Sequence, residues 1–152
     1  MDVQQAIAAL NRSLSLEYAG VIQYLQQSFV VQDPLREVYA DFFRDSSQSC
    51  HDHARQLGEM LVGLAGVPTA EPAPIRQSAD LTEMLQQDLA LEREALTAYL
   101  DAIKIVADEV PLRVMLERMA EDEQRHVWQL EKILKQKEFR LAVKEIRLRQ
   151  SG

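Results

Sequence analysis

The sequence has few of the residues that interrupt helices or form disulfides. Its 152 residues include five glycines, five prolines and one cysteine. The low glycine and proline content excludes collagen-like and low-complexity chains, and a hydrophobic content of 47% excludes a disordered one. A single cysteine cannot form an internal disulfide, which suits a reducing compartment. We therefore expect one domain, residues 1–152, with its own hydrophobic core.

Long apolar runs and an excess of positive charge are also missing. No apolar run reaches the ~18 residues of a membrane span, and the start of the chain, MDVQQAIAALNRS, lacks the features of a signal peptide. The 24 acidic residues outnumber the 17 basic ones, so the net charge is −7. Acidic chains are poor ligands for a phosphate backbone. These absences predict a cytoplasmic protein with neither a membrane nor a nucleic acid as partner.

Apolar residues recur at spacings of three and four along most of the chain, which predicts long amphipathic helices. The first helix is predicted over residues 3–31. Asp33 as cap and Pro34 as first residue begin a second helix, because a proline at that position loses no hydrogen bond. This helix is predicted to end at about Leu64, where nearby glycines such as Gly66 favour termination.

The second half of the chain predicts another pair of helices after a long connection. Residues 66–78, GVPTAEPAPIRQS, contain three prolines and predict an extended segment. Asp80 and Glu83 form a capping box that begins the third helix, and Pro111 opens the fourth. The basic tail, residues 137–152, is predicted to form a short fifth helix or an extension. Short turns within each pair and one long crossover between them predict an all-α four-helix bundle.

Several polar residues interrupt the apolar faces that the helices should bury. Carboxylates buried together repel one another and lose hydration, and a pair of bound cations removes both costs. Glutamate oxygens and imidazole nitrogens are ligands for iron, manganese and zinc. We therefore predict a dinuclear metal site, against the alternative of a buried hydrogen-bonded network without metal. The residues concerned are Glu17, Cys50, His53, Glu92, Glu123 and His126.

The two halves of the chain repeat one polar pattern. Each half has a glutamate, a tyrosine seven residues later, and a histidine 34 to 36 residues after the glutamate. The tyrosines are expected either as donors beside the ligands or as ordinary buried aromatics, and Asp88 lies one helical turn before Glu92. In the second half a glutamate precedes the histidine by three residues; the first half has Cys50 there. The repeated residues are Glu17, Tyr24, Cys50 and His53, then Glu92, Tyr99, Glu123 and His126.

Three motifs together resemble bacterioferritin, of the ferritin-like di-iron superfamily: GVPT at 66–69, LTEMLQQDLALE at 81–92 and EDEQRHVWQLE at 121–131. The resemblance extends from the first helix to the fourth. It implies oxidation of ferrous iron (ferroxidase activity) and iron storage in a homo-oligomer, a dimer-based cage of 24 subunits. Matched by position, it implies terminal carboxylates from Glu17 and Glu92, nitrogen ligands from His53 and His126, and a bridging Glu123.

Position 50 departs from this pattern. Two ferrous ions carry four positive charges, and the three glutamates supply only three negative ones, so a neutral site needs one more. A Cys50 thiolate restores the count, but sulfur is a soft donor that suits zinc at least as well as iron. The alternative is that Cys50 packs as a small hydrophobic residue. In either case we expect ferroxidase activity to be impaired.

His51 occupies the position where bacterioferritins have a methionine that ligates haem at the dimer interface. Histidine is also an axial haem ligand, so haem is a candidate cofactor, and the alternative is a solvated surface histidine. Apolar residues on the outer side of the first helix predict a packed partner, in agreement with a homo-oligomer. These residues are Leu16, Ile22, Phe29 and Val30.

Three functions remain open at this point. The first is an iron oxidase and store. The second is a cage or dimer subunit with a weak or inactive ferroxidase centre that depends on a partner subunit. The third is a bundle that binds another metal, such as zinc, without oxidase activity.

Overall fold

The computed structural model describes all 152 residues. It contains four helices and no strand, so the predicted all-α four-helix bundle with one long crossover is confirmed. The first helix packs on the second and third, and the third packs on the fourth. None of the helices is both long enough and apolar enough to cross a membrane. The helices are α1 (Val3–Val30), α2 (Arg36–Gly63), α3 (Leu81–Ile105) and α4 (Val110–Gln150).

The turn between α1 and α2 is longer than predicted. The prediction that Asp33 caps α2 was wrong: the N-cap is Leu35, and the carboxylate of Asp33 accepts a hydrogen bond from the backbone N–H of Leu35 at 2.9 Å, in a turn before the helix. Its carbonyl oxygen accepts from the N–H of Arg36, also at 2.9 Å. Pro34 therefore lies in this turn, and α2 begins two residues later at Arg36.

The end of α2 has the hydrogen bonds of a Schellman motif. Gly66 N–H donates to the carbonyl of Leu61 at 2.8 Å, and Ala65 N–H donates to that of Val62 at 2.9 Å. The residue in the left-handed conformation is Ala65, with φ of 57°, and not a glycine. The end of the helix was predicted at this point, but the strained left-handed position of the motif is occupied by Ala65.

Polar side-chain and backbone groups of α1 hold the crossover against the bundle. The amide of Asn11 donates to the carbonyl of Val67 at 3.0 Å and accepts from the N–H of Thr69 at 2.7 Å. The backbone carbonyl of Ser15 accepts from the N–H of Ala73 at 2.8 Å. This segment has no helix or sheet of its own, so these bonds satisfy backbone groups that the connection leaves open.

The crossover packs near part of the outer face of α1. Leu16 is only 4% exposed and packs in a cluster against which Ile75 of the crossover lies. The expectation that Leu16 faces a partner was therefore wrong, because the chain itself covers it. Ile22, Phe29 and Val30 remain exposed at 44%, 65% and 37%.

The basic tail continues α4 and does not form a separate helix. α4 has 41 residues, against 25 to 28 in the other helices, and is about 60 Å long. Residues 132–152 contain seven lysines or arginines and two glutamates, a net charge of +5, whereas residues 1–131 have a net charge of −12. Phe139 and Ile146 in this extension are exposed at 69% and 55%.

The core consists mainly of two large apolar clusters with the polar residues between them along the helices. One contains Leu10, Leu57 and Leu116. The other contains Phe43 and Leu85. A polar centre between two dry clusters is shielded from water, so its charges interact strongly and each unpaired group is costly.

Candidate metal centre

All four helices contribute side chains to one buried centre. Its residues form two groups of three, and in each group one possible ligand atom per residue lies within 4.8 Å of the others. Glu123 of α4 belongs to both groups. The first triad, as we name it, is Glu17, His53 and Glu123; the second triad is Glu92, Glu123 and His126. A carboxylate common to two adjacent triads can bridge two cations.

The first triad is tightly arranged. His53 Nδ1 lies 3.2 Å from Oε1 of Glu17 and 2.9 Å from Oε1 of Glu123. The other ring nitrogen, Nε2, is 3.1 Å from Oδ2 of Asp122. Arg125 in turn donates a hydrogen bond to Asp122. The outer carboxylate therefore fixes the ring with Nδ1 directed at the centre.

The second triad is looser. His126 Nδ1 lies 3.6 Å from Oε2 of Glu92 and 3.7 Å from Oε2 of Glu123. Its Nε2 is 3.5 Å from the hydroxyl of Ser49, at the limit of a hydrogen bond. The side chain of His126 is 25% exposed, whereas that of His53 is 4% exposed. The two halves of the centre thus differ in how firmly the histidine is held.

Each of the two predicted tyrosines forms a hydrogen bond with a glutamate from the other half of the chain. The hydroxyl of Tyr24 on α1 donates to Oε1 of Glu92 on α3 at 2.5 Å. That of Tyr99 on α3 donates to Oε1 of Glu17 on α1, also at 2.5 Å. These reciprocal bonds connect α1 to α3, and they leave the remaining carboxylate oxygens for other partners.

Without a bound metal, the histidines act as the counter-charges of the carboxylates. Burial lowers the pKa of His53, but hydrogen bonds to Glu123 and Glu17 outweigh it and raise the pKa to about 11. Burial likewise opposes the bonds to Glu123 and Glu92, which raise the pKa of His126 to about 10. Burial and the charges of Glu92 and Glu17 raise the pKa of Glu123 well above its usual value. Cation binding must therefore displace protons from this centre.

The donor atoms fit a divalent transition metal. Both carboxylate oxygens of Glu123 and Nδ1 of His126 are buried, and beyond the ion-pair contacts within the two triads they have no hydrogen-bond partner. Buried polar atoms without partners are rare in native proteins and call for an explanation. Two imidazole nitrogens and three carboxylates are a suitable set for iron, manganese or zinc.

Cys50 lies beside the centre but belongs to neither triad. Its sulfur packs against Gly20 of α1: a Cβ at position 20 would lie 2.5 Å from Sγ. Burial raises the pKa of the Cys50 thiol, and the charges of Glu17 and Glu92 raise it further. In the metal-free protein Cys50 is therefore a neutral thiol in a notch between α1 and α2.

Two residues that the sequence analysis missed contact the histidines. Asp122 and Ser49 each directly precede position 123 or 50, so they are equivalent in the two halves, and each approaches the histidine of the other half. The sequence repeat could have shown this. Ser49 and Asp122 each precede a repeated position, 50 or 123, by one residue, so they lie on the same side of their helices. The first half thus lacks two carboxylates that the second half has.

The remaining candidate residues lie outside the triads. Asp88 is fully buried and bonded to Gln23 and Gln27 of α1, not to a metal-site residue. His51 has a side chain 55% exposed on the outside of α2, with Nδ1 3.8 Å from a carboxylate oxygen of Asp52. The structure therefore separates the candidate haem ligand from the buried centre.

Comparison with known proteins assigns the chain to a family that agrees with this fold and this centre. Residues 7–139 match the model of the ferritin-like domain, and the chain belongs to this family. A ferritin-like di-iron carboxylate protein from Bacillus anthracis is 32% identical, with a TM-score of 0.85 over 88% of this chain and 98% of that one. Bacterioferritin from Rhodobacter capsulatus, whose structure has a metal-free dinuclear site and haem iron, is 26% identical, with a TM-score of 0.79 over 87% and 84%.

More distant and partial relatives extend the comparison. The dodecameric thioferritin of Bacteroides fragilis has a TM-score of 0.82 over 99% of this chain and 92% of that one, but at 20% identity it shares the fold alone. A nutrient stress-induced DNA-binding protein of Synechococcus is 36% identical over 61% of this chain and 58% of its own length. One of Nostoc is 33% identical over 55% and 51%. The chain thus spans only about half to three-fifths of these curated relatives.

Proposed function

We propose that this chain is a ferritin-type subunit that binds two divalent metal ions and oxidises and stores iron, with oxidation slowed at position 50. The observation that carries the proposal is the pair of triads with a common Glu123. Glu17 and His53 would hold one ion, Glu92 and His126 the other, and Glu123 both. Iron is the substrate of this centre, and it supplies the electrons that oxygen accepts. The protein supplies carboxylates and imidazoles that select and position it.

Cys50 supports the impaired form of this function. The position symmetric to Glu123 contributes no carboxylate, so one bridge is missing, and the thiol packs against Gly20. Without a second bridge, Glu123 would be the only carboxylate available to both ions. The looser second triad, with Ser49 in the place of an aspartate, weakens the same site further. We therefore expect slow turnover and a second ion that is weakly held.

Iron oxidation by position-50 variants tests the proposal. The growth of ferric absorbance is followed after anaerobic loading with two ferrous ions per subunit and addition of oxygen. Cys50→Glu should raise the rate at least several-fold, because it adds the missing bridging carboxylate. Cys50→Ser is the matched control: it removes the thiol without adding a carboxylate and should stay slow.

The outcomes separate the open alternatives. If the natural chain oxidises iron as fast as Cys50→Glu, position 50 does not limit the centre. If neither oxidises iron but both bind zinc in the triads, the chain is a metal-binding bundle without oxidase activity. If iron is oxidised only after a second ferritin-like subunit is added, the chain is a dependent cage subunit.

The proposed assembly is a closed cage of identical subunits. The likeness to bacterioferritin favours 24 subunits, and the Bacteroides fragilis neighbour is a dodecamer of the same fold. Ile22 and Phe29 on α1, exposed at 44% and 65%, supply apolar area for such contacts. Multi-angle light scattering distinguishes 24, 12 and two subunits. A stable monomer at micromolar concentration would contradict the cage.

Haem binding at a two-fold interface is the proposed role of His51. The side chain is exposed and borders a surface cleft with Tyr18 and Val62, so it is free to act as an axial ligand. Reconstitution of the purified oligomer with haem should give a low-spin, bis-histidine spectrum, and His51→Ala should abolish it. The absence of a Soret band would leave His51 an ordinary surface residue.

Nucleic-acid binding is a second candidate function, favoured by the extension of α4. The net charge of −7 is the sum of −12 in residues 1–131 and +5 in residues 132–152. The expectation of no nucleic-acid partner rested on that sum. None of the seven cations in residues 132–152 forms a salt bridge, whereas seven of the ten in residues 1–131 do. Cations without a carboxylate partner on a largely exposed helix suit a polyanion.

Electrophoretic mobility of duplex DNA at low salt tests this candidate. Lys144→Glu with Arg147→Glu should weaken binding and reduce its salt dependence. The matched control is Arg55→Glu with Arg118→Glu, since these two cations of the bundle are also without salt bridges but lie outside the extension. No shift by the natural chain, or equal loss in both pairs, would contradict a role for the extension.

A further inference from the structure

Asp88 is a buried carboxyl group that neither triad uses. It is 0% exposed on α3, one helical turn before Glu92. Its Oδ1 accepts hydrogen bonds from the side-chain amides of Gln23 and Gln27, both at 2.8 Å. No cation pairs with it, and none of its hydrogen bonds reaches a residue of the two triads. An ionised carboxylate in this position would be poorly compensated.

Two atoms in this network have no partner. They are Oδ2 of Asp88 and Oε1 of Gln27, and both are buried. Gln27 donates from its amide nitrogen to Oδ1 of Asp88, and its unpartnered carbonyl oxygen belongs to the same planar amide group. A proton on Oδ2 removes the uncompensated buried charge and gives this network the donor that it lacks. The neutral acid therefore agrees better with two unpartnered acceptor atoms than the carboxylate does.

The surroundings of Asp88 favour this neutral form. Burial raises its pKa to about 7; the amides of Gln23 and Gln27 oppose the rise, and the charge of Glu92 adds to it. Glu92 is the only charged group that contributes. On α1 the titratable neighbour is Tyr24, and the crossover is connected through the backbone N–H of Arg76, which donates to Oε1 of Gln23 at 3.1 Å. At pH 6 most of the metal-free protein would carry this proton.

The charge count of the centre gives this proton a role. Two divalent cations bring four positive charges, and the two triads contain three carboxylates. A net positive charge in a buried centre is costly. In the metal-free protein the thiol of Cys50 packs against Gly20, and burial with the charges of Glu17 and Glu92 opposes its ionisation by raising its pKa.

We propose that Asp88 supplies the fourth negative charge: it is a neutral acid in the metal-free protein and ionises when two divalent cations occupy the triads. The proton leaves for solvent, and Asp88 forms no bond to metal. Cations one helical turn away stabilise the carboxylate through space, and Gln23 and Gln27 already donate to it. Asp88 is thus a charge-compensating residue and not a ligand. The inference rests on the proposed two-metal function.

Proton release on zinc binding tests the inference, because zinc undergoes no redox reaction. Calorimetry of the metal-free protein in two buffers of different ionisation enthalpy gives both the affinity and the number of protons released. At about pH 6, below the pKa of Asp88, Asp88→Asn should release about one proton fewer than the natural chain. At about pH 8.5, where Asp88 is already ionised, the difference should disappear. An asparagine side chain at this position retains the amide contacts of the neutral acid, so the fold should persist.

Two control variants separate this inference from its rivals. Asp101→Asn changes an acid of the same helix whose carboxylate is 45% exposed, and it should not alter the proton count. Cys50→Ser removes the thiol, which is the rival source of the fourth negative charge. A count lowered by Cys50→Ser and unchanged by Asp88→Asn would overturn the inference in favour of a thiolate.

Further outcomes distinguish failure of the inference from failure of the proposed function. If the natural chain binds no zinc, the two-metal function fails, and the inference fails with it. If zinc binds and the proton counts of the natural chain and Asp88→Asn agree at pH 6, only the inference fails. Should Asp88→Asn not fold, infrared spectra of the natural chain decide. The carbonyl bands of protonated carboxylic acids at pH 6, to which Glu123 also contributes, should all vanish on zinc loading, and a band that persists would overturn the proposal.

Discussion

The sulfur of Cys50 fills a space that exists because residue 20 is glycine. A Cβ on Gly20 would lie 2.5 Å from Sγ of Cys50, closer than such atoms approach, and 3.3 Å from its Cβ, which is a tight contact. The two residues therefore fit one another across the α1–α2 interface, and Gly20 follows Glu17 by one helical turn. The small side chain at 50 and the missing one at 20 form one packing feature.

Gly20→Ala should consequently destabilise the protein, although alanine is the better helix former. The added methyl group must displace the sulfur or separate the helices, which typically costs about 1–3 kcal/mol. Denaturant midpoints of the metal-free protein measure this change. Cys50→Ala in the same chain should recover part of the loss, so the two substitutions should be non-additive. Additive effects would mean that the thiol does not occupy the Gly20 notch.

Asp122 and Ser49 contact the outer ring nitrogens of the two histidines, and substitutions at these two positions should change the metal affinity in opposite directions. Asp122→Asn removes the charge that holds Nε2 of His53 and should weaken zinc binding about 10–100-fold. Ser49→Asp adds the equivalent carboxylate beside Nε2 of His126, now 3.5 Å from a hydroxyl, and should tighten it. Competition with a chromophoric chelator measures both affinities.

The control for this pair is Asp52→Asn. Asp52 lies on the same helix as Ser49, but its carboxylate faces solvent beside His51 and not the centre. It should leave the zinc affinity unchanged. If Asp122→Asn behaves like this control, the contact with His53 does not support the metal site.

Zinc affinity should rise steeply with pH. The metal requires neutral imidazoles, and hydrogen bonds to the carboxylates raise the pKa of His53 to about 11 and of His126 to about 10 against the effect of burial. Both rings are therefore protonated below pH 9 and lose protons on binding. Each released proton contributes a factor of about ten per pH unit, so the affinity should increase at least tenfold per unit from about pH 6 to 8.5. His126→Gln should reduce this slope, and His51→Ala should not. A flat profile would contradict the metal-free charge arrangement.

Much of this architecture could be predicted from the sequence because it depends on local periodicity. Helical spacing placed Glu17, Glu92 and Glu123 on buried faces, and the repeat of the two halves placed them at one level of the bundle. The long crossover followed from its prolines. These features require no knowledge of how two helices approach each other.

What the sequence did not predict depends on pairs of helices. The direction of the Cys50 thiol is decided by Gly20, 30 residues earlier, through a close approach that neither residue indicates alone. Leu16 was predicted to face a partner, but it packs in a cluster with Leu91 and Ala95 of α3, against which the crossover lies. Asp122 contacts His53 only because α2 and α4 meet at that height.

The end of α2 offers a stabilising substitution away from the metal centre. Ala65 adopts φ of 57°, the left-handed region that costs a residue with a side chain roughly 1–2 kcal/mol relative to glycine. Ala65→Gly removes this strain, loses part of the gain to the greater freedom of the unfolded chain, and should raise the free energy of unfolding by about 0.5–1 kcal/mol. Denaturant unfolding of the metal-free protein gives the value. Ala70→Gly in the crossover, where φ is not positive, is the matched control and should be neutral or slightly destabilising. A loss of stability in Ala65→Gly equal to that of the control would show that the Schellman motif imposes no strain on Ala65.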